Sequence, residues 1–150
     1  MDYLFYHTGK IPNYLKYSIE SVKKNDPDSN IFLTSDQSYK NSDIELIGIN
    51  ELKSSRVEKI KNLSYFKDWS DNPLWESSML RIFYLFEIAK FLKIDQFIHF
   101  DNDVILYKPF TEIKNLMVNE KFNITPLTNS FLVFGYSFVN NLSIYDEICE

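Results

Sequence analysis

The sequence predicts an α/β fold, a mostly parallel sheet flanked by helices, and three observations carry that expectation. Tyr3 to His7 is a short apolar run, Leu15, Ile19 and Val22 then recur at helical spacing, and Ile31 to Thr34 is apolar again. A long apolar segment, Leu74 to Leu92, leads into a further apolar stretch, Phe97 to Phe100. That stretch stops abruptly at Asp101-Asn102-Asp103. Short apolar runs alternating with helical periodicity are the pattern of βαβ units, whose parallel strands are joined by right-handed crossovers.

Taken in order, Tyr3 to His7 is the first strand. Pro12, suited to a first helical turn, opens the first helix. Asn25-Asp26-Pro27-Asp28-Ser29-Asn30 is dense in turn formers and ends it, before a second strand over Ile31 to Thr34. Ile44 to Ile49 predicts a short third strand. Glu51 to Asp71 is mixed in charge, with weak helical spacing at Val57, Ile60 and Leu63. Leu74 to Leu92 is apolar around most of its circumference, which predicts a helix buried on more than one side. At about 100° per residue, Ser77, Arg81 and Tyr84 share one stripe of it, with Ser78 alongside. Phe122 to Thr125 and Phe131 to Phe134 predict two later strands, and Leu142 to Cys149 a last helix.

With 150 residues, 45% hydrophobic and 17% aromatic, there is material for one core and too little for two, so residues 1–150 are read as a single domain. Lys and Arg number 16 against 21 Asp and Glu, a net charge of −5, which argues against a nucleic-acid binder, since that would need a basic stripe. Cys149 is the one cysteine, so no internal disulfide forms and a reducing compartment is expected. The N-terminus lacks the basic and apolar regions of a signal peptide, and no apolar run nears the ~18 residues of a transmembrane segment. The expectation is a cytoplasmic protein. Gly9, Gly48 and Gly135 are too scattered to cradle a phosphate, so any bound diphosphate must be neutralised in another way.

Asp101 and Asp103 supply that way. Phe97, Ile98 and Phe100 closely precede them and three apolar residues follow, which puts two acids at the mouth of a buried strand, where uncompensated charge is costly. Open α/β sheets bind ligands beyond the carboxyl ends of their strands, which is where this pair falls. Carboxylate oxygens without thiols suit Mn²⁺ or Mg²⁺, and such an ion commonly completes its shell with substrate phosphates. Asp26-Pro27-Asp28 has the same spacing but lies in a polar turn facing water. The alternative for Asp101 and Asp103 is a structural turn, with Asp101 capping and Asn102 left-handed.

Arg81 is placed by arithmetic. The helix runs about 16 Å from Arg81 to Leu92 and the strand returns about 13 Å from Phe97 to Asp101, so the arginine ends level with the acids. A guanidinium there would grip a phosphate or sugar oxygen, or else pair with a neighbouring acid. His99, alternating with Ile98 and Phe100, reads as a core residue. His7 and Thr8 end the first strand and Asp36 the second, all at the sheet edge where a nucleoside would sit.

These residues together resemble the nucleotide-sugar glycosyltransferases of the A-type fold, in particular the Asp-x-Asp-containing groups typified by bacterial galactosyltransferases, glycogenin and the capsule and mannosyl transferases. His7-Thr8-Gly9-Lys10-Ile11-Pro12, with Ser18-Ile19-Glu20-Ser21 and Asn25-Asp26-Pro27-Asp28, is similar to their opening strand and helix. Ser77-Ser78-Met79-Leu80-Arg81 resembles the helix before the acidic motif, and Phe97 to Val104 the strand and motif itself. Asn129-Ser130-Phe131-Leu132-Val133-Phe134 resembles a later donor-contacting strand.

The resemblance implies a Rossmann-like nucleotide-diphospho-sugar transferase fold and transfer of a hexose from a nucleotide-sugar, UDP-sugar favoured, to a saccharide or protein-linked hydroxyl, with retention of configuration. It implies Asp101 and Asp103 as ligands of Mn²⁺ or Mg²⁺. It also places Arg81, His7, Thr8, Asp36, Asn102 and Asn129 at the donor, with Asp101 sharing the metal or holding the ribose. Where many members carry Ser-Asp, this chain has Ser77-Ser78. Members also extend further, with an acceptor region and a third metal ligand, often histidine, so the chain corresponds to a fragment or minimal version of the domain.

Two other functions share these features. A haloacid-dehalogenase-type phosphohydrolase would use Asp101 as nucleophile and Asp103 as acid and base, although Ile105 stands where that motif carries Thr. A non-catalytic nucleotide-sugar-binding domain is the other.

Overall fold

The computed structural model describes residues 1–64, 66, 72–117, 122–129 and 132–150. Its strands are β1 (Asp2–His7), β2 (Asn30–Ser35), β3 (Glu45–Gly48), β4 (Phe97–Phe100), β5 (Phe122–Pro126) and β6 (Leu132–Val139), in one sheet ordered β3-β2-β1-β4-β6-β5. β3, β2, β1 and β4 run parallel, β6 is antiparallel to β4, and β5 is antiparallel to β6. The expected α/β class and the parallel β1–β2 pair are therefore present, paired from Asp2 with Asn30 to His7 with Ser35.

The helices are α1 (Leu15–Asn25), α2 (Ser55–Lys61), α3 (Pro73–Leu92), α4 (Phe110–Ile113) and α5 (Leu142–Ile148). Pro12 lies outside α1, in a turn where its carbonyl accepts from Leu15 N at 3.2 Å. α2 realises part of the weakly spaced stretch and buries Val57, while 65 and 67–71 of that stretch lie outside the described residues. α3 starts at the Asn72 cap, whose side chain accepts from Leu74 N, with Pro73 in the first turn. It ends at Lys93, which takes the left-handed conformation (φ 58°) and turns the chain into β4.

Two cores follow from the period-2 alternation of the strands. Tyr3, Phe5, Ile98, Phe100 and Phe138 point to one face, where α1 adds Leu15, Ile19 and Val22. Leu4, Tyr6, Phe97 and Val139 point to the other, where α3 adds Leu80, Tyr84, Leu85, Phe86, Ile88 and Ala89. α3 packs against β1, α2 and α5, which explains its broad apolar circumference, but Leu74, Trp75 and Phe91 on it are exposed. Truncating a fully buried side chain such as Leu85 to alanine costs about 2–5 kcal/mol, so this packing holds α3 firmly against β1.

Beyond β4, the apolar run Val104 to Tyr107 is not a strand. Leu106 is buried, and α1 satisfies its backbone: Leu106 N donates to Ser21 Oγ at 2.9 Å and Asn25 Nδ2 donates to Leu106 O at 2.8 Å. The segment carrying the acids is thus tied to α1. No helix among the described residues is long and apolar enough to cross a membrane.

Candidate functional site

Asp101 continues the ladder of β4 by one bond, its N–H donating to Gly135 O on β6 at 3.0 Å. Val104 N then donates to Asp101 O at 3.0 Å, closing a four-residue turn with Asn102 and Asp103 at its centre. Lys93 is the only non-glycine with positive φ among the described residues, so the left-handed Asn102 of the structural-turn alternative is not present. Ser18 Oγ donates to Asn102 O at 2.5 Å, and Asn102 Nδ2 donates to Tyr6 O at 3.0 Å. The turn is therefore pinned between α1 and β1.

Arg81, on the face of α3 over β4, meets Asp101 in an ion pair, as the lengths of helix and strand required. Its side chain is 17% exposed against 39% for Asp101, and its guanidinium carbon lies 5.8 Å from the Phe134 ring centroid. Arg81 Nε is buried and has no hydrogen-bond partner among the described residues. Behind the pair, His99 is buried as expected of a core residue and its Nδ1 donates to Leu4 O at 2.8 Å. Burial, reinforced by the Arg81 charge, pushes the imidazole pKa down to about 3, so the ring is neutral. Asp103 is exposed on the same turn.

A cleft of about 400 Å³ opens over this floor, lined by His7, Thr8, Arg81, Asp101, Asn102 and Asp103, with Ser77 and Ser78 on the α3 wall. That volume falls in the range of ligand pockets. Tyr14 and Leu74, both exposed, flank the mouth. An adjoining cavity of about 310 Å³ shares Tyr6, Thr8 and Ser77 with the cleft and adds Asp36 and Glu76. Asp36 Oδ1 accepts from Gly9 N at 2.9 Å, which ties the loop after β1, with Gly9 at φ +77°, to the end of β2. The structure thus brings together every sequence-predicted site residue except Asn129, which is exposed after β5 and lines neither space. Ser130 and Phe131, beside it, lie outside the described residues.

Gly135 has no place among the site residues expected from the sequence. A Cβ built on it would lie 3.3 Å from Asp101 Oδ2, so the bare glycine leaves the second oxygen of that carboxylate uncovered. A glycine inside an otherwise apolar strand is the available signal for such a close approach. No group of three or more His, Cys, Asp or Glu able to hold a metal occurs among the described residues. Two hard carboxylates on one turn, one with an uncovered oxygen, nevertheless fit a divalent ion that takes its remaining ligands from a diphosphate.

No family model and no curated protein matches the chain. Solved structures do. The chain is similar over 98% of its length to galactosyltransferase LgtC in complex with donor and acceptor sugar analogues, at 12% identity and a TM-score of 0.62. It is similar over 98% to glycosyltransferase GlyE of Streptococcus pneumoniae TIGR4, at 13% identity and a TM-score of 0.60. Mouse xyloside xylosyltransferase 1 is matched over the whole chain, at 12% identity and a TM-score of 0.57. The fold is that of the A-type glycosyltransferases. The chain spans 60% of LgtC, 35% of GlyE and 72% of the xylosyltransferase.

Proposed function

We propose that the chain is the nucleotide-sugar-binding domain of a metal-dependent glycosyltransferase, transferring a hexose from a UDP-sugar, favoured over a GDP-sugar, to a hydroxyl of a saccharide or protein-linked acceptor. The observation that carries the reading is the meeting of Arg81 with the Asp101–Asp103 turn on the floor of one cleft at the carboxyl end of a parallel sheet. Asp101 and Asp103 would hold Mn²⁺ or Mg²⁺, which when bound supplies Lewis-acid neutralisation of the leaving diphosphate.

Arg81 offers the diphosphate or sugar a planar guanidinium already desolvated by Phe134 and α3. His7, Thr8 and Asp36 form the nucleoside side of the site, and Asn129 belongs to the donor contacts on the resemblance alone. Retention of configuration is part of the same proposal and rests on the resemblance to retaining families.

The test is turnover of UDP-sugars by the chain with Mn²⁺ and a panel of saccharide acceptors, following both UDP release and the intact transferred sugar. Sugar transfer supports the proposal. Phosphate release from a phosphomonoester without sugar transfer would favour the phosphohydrolase, and saturable Mn²⁺–UDP binding without turnover the non-catalytic domain.

A further inference from the structure

Hydrogen-bond chemistry at the middle residue of the acidic turn admits a single arrangement. Lys10 O can only accept, so its 3.0 Å contact with His7 Nε2 places the ring proton on that nitrogen. His7 Nδ1 is then an acceptor, and the Asn102 side-chain nitrogen, 3.2 Å away, donates to it. The other hydrogen of the same nitrogen goes to Tyr6 O. Turning the amide over would set its oxygen against a carbonyl oxygen and a ring-nitrogen lone pair, so the orientation is fixed. Asn102 Oδ1 is buried and finds no hydrogen-bond partner among the described residues, and the backbone carbonyl accepts from Ser18. Both hydrogens of the Asn102 side-chain nitrogen are therefore taken, and it has no donor left to offer the cleft.

We propose that Asn102 and His7 are positioning residues, which clamp the Asp101–Asp103 turn to the His7–Lys10 loop so that both walls of the cleft move as one unit. The proposal rests on the nucleotide-sugar reading of the cleft and refines it: His7 stays on the nucleoside side, but both residues act by position and not by the donor contact that the resemblance gives them. The clamp continues outward: Gly9 N on the same loop donates to Asp36 Oδ1, so the ends of β1 and β2 and the turn after β4 are joined by side-chain hydrogen bonds. Removing such outer partners of a metal-binding group typically weakens binding about 10–100-fold.

Two measurements test it. In the first, nitrogen-15 NMR of the wild-type chain without ligand should show His7 as the Nε2–H tautomer and the Asn102 side-chain amide protected from exchange. An Nδ1–H tautomer, or an Asn102 amide exchanging like an exposed asparagine, overturns the clamp. In the second, calorimetry compares Mn²⁺–UDP affinity in His7→Leu, Asn102→Ala and the double variant.

Each single substitution should weaken binding about tenfold, and the double one by clearly less than about a hundredfold relative to wild type, because the two residues share the His7–Asn102 contact. His7→Gln, which can present an amide oxygen to Asn102, should recover most of the loss. Additive losses with no recovery in His7→Gln overturn the proposal. Absence of Mn²⁺–UDP binding in the wild type overturns the nucleotide reading instead, and the NMR result then decides the clamp alone. It decides it equally if a variant fails to fold.

Discussion

Arg81 and Asp101 form an ion pair between α3 and the end of β4 across a separation of 20 residues. The pair does two things at once. It compensates a guanidinium that α3 carries into a largely apolar environment between Phe134 and the neutral His99. It also occupies one Asp101 oxygen while Gly135 leaves the other uncovered, so the acid is held in place and still has an oxygen to offer.

UDP is expected to stabilise the chain only when Mn²⁺ or Mg²⁺ is present, because no glycine-rich loop neutralises its phosphates. Thermal unfolding with nucleotide, metal, both and neither is the measurement. At free ligand about 100 times the dissociation constant the gain is about 2.7 kcal/mol, a visible shift in melting temperature. Equal stabilisation with and without metal would remove the acidic turn from phosphate binding.

Asp103→Asn is expected to abolish the metal-dependent part of that shift and to leave the unliganded melting temperature unchanged. Asp103 is exposed, so the change removes a charge without removing packing. Isothermal titration with Mn²⁺ and UDP decides it, and wild-type affinity in the variant would rule out Asp103 as a ligand.

Gly135→Ala probes the uncovered oxygen of Asp101. The added methyl would lie 3.3 Å from Asp101 Oδ2, so the carboxylate must give by a few tenths of an ångström. Gly135 is not at positive φ, so alanine fits the backbone. Mn²⁺–UDP affinity should fall several-fold while stability changes by less than about 1 kcal/mol, because Gly135 is half-buried and the one neighbour that must give is a carboxylate end. Unchanged affinity would mean that Oδ2 is not used.

Burial raises the Cys149 thiol to about 12 from an ordinary value of 9.0, with Arg56 opposing the shift and Asp146 and Glu87 adding to it. A folded-state pKa above the unfolded one means that the folded chain keeps the proton longer. Stability from this residue is therefore complete below about pH 9 and is lost as the pH rises toward 12, by at most about 1.4 kcal/mol per pH unit. Tyr3, Tyr6 and Tyr145, also raised by burial, act in the same direction. Denaturant midpoints from pH 7 to 10.5 should fall above pH 9, less steeply in Cys149→Ala, and a thiol reagent at pH 8 should modify Cys149 only as fast as the chain unfolds. Rapid modification of the folded chain would show that the thiol is not sealed in the core.

Much of this is legible in the sequence, for definite physical reasons. Strand and helix periods, and the sudden change from Phe100 to Asp101, place the acids at the sheet edge. Fixed rises per residue then bring Arg81 beside them. What periodicity does not encode is lateral order: nothing in Leu132 to Val139 says that β6 inserts antiparallel beside β4, and so nothing says that Gly135 faces Asp101. The contact between His7 and Asn102 is hidden for the same reason, since it joins side chains 95 positions apart through the β1–β4 pairing. The turn at Asn102 is open between a left-handed and a right-handed form until its neighbours Ser18 and Tyr6 are placed.

Arg81→Lys separates the two roles that the ion pair leaves to the arginine. Lysine keeps the positive charge opposite Asp101 but replaces a planar fork by a single ammonium, which cannot contact a carboxylate and a phosphate side by side. If Arg81 serves only to balance Asp101, the variant should match wild type in both stability and Mn²⁺–UDP affinity. If it also grips the donor, affinity should fall about tenfold, roughly one charge-assisted hydrogen bond, while the melting temperature holds. Asp101→Asn is the necessary companion. It strips the compensation from Arg81, and because Asp101 is 39% exposed the cost should be about 1–2 kcal/mol, below the 3–5 kcal/mol typical of a fully buried pair. The affinity of each variant must therefore be compared with wild type at matched stability, by measuring the melting temperatures first. A folded Arg81→Lys chain with unchanged affinity and unchanged sugar transfer would assign the arginine to Asp101 alone and leave the acidic turn to neutralise the diphosphate by itself.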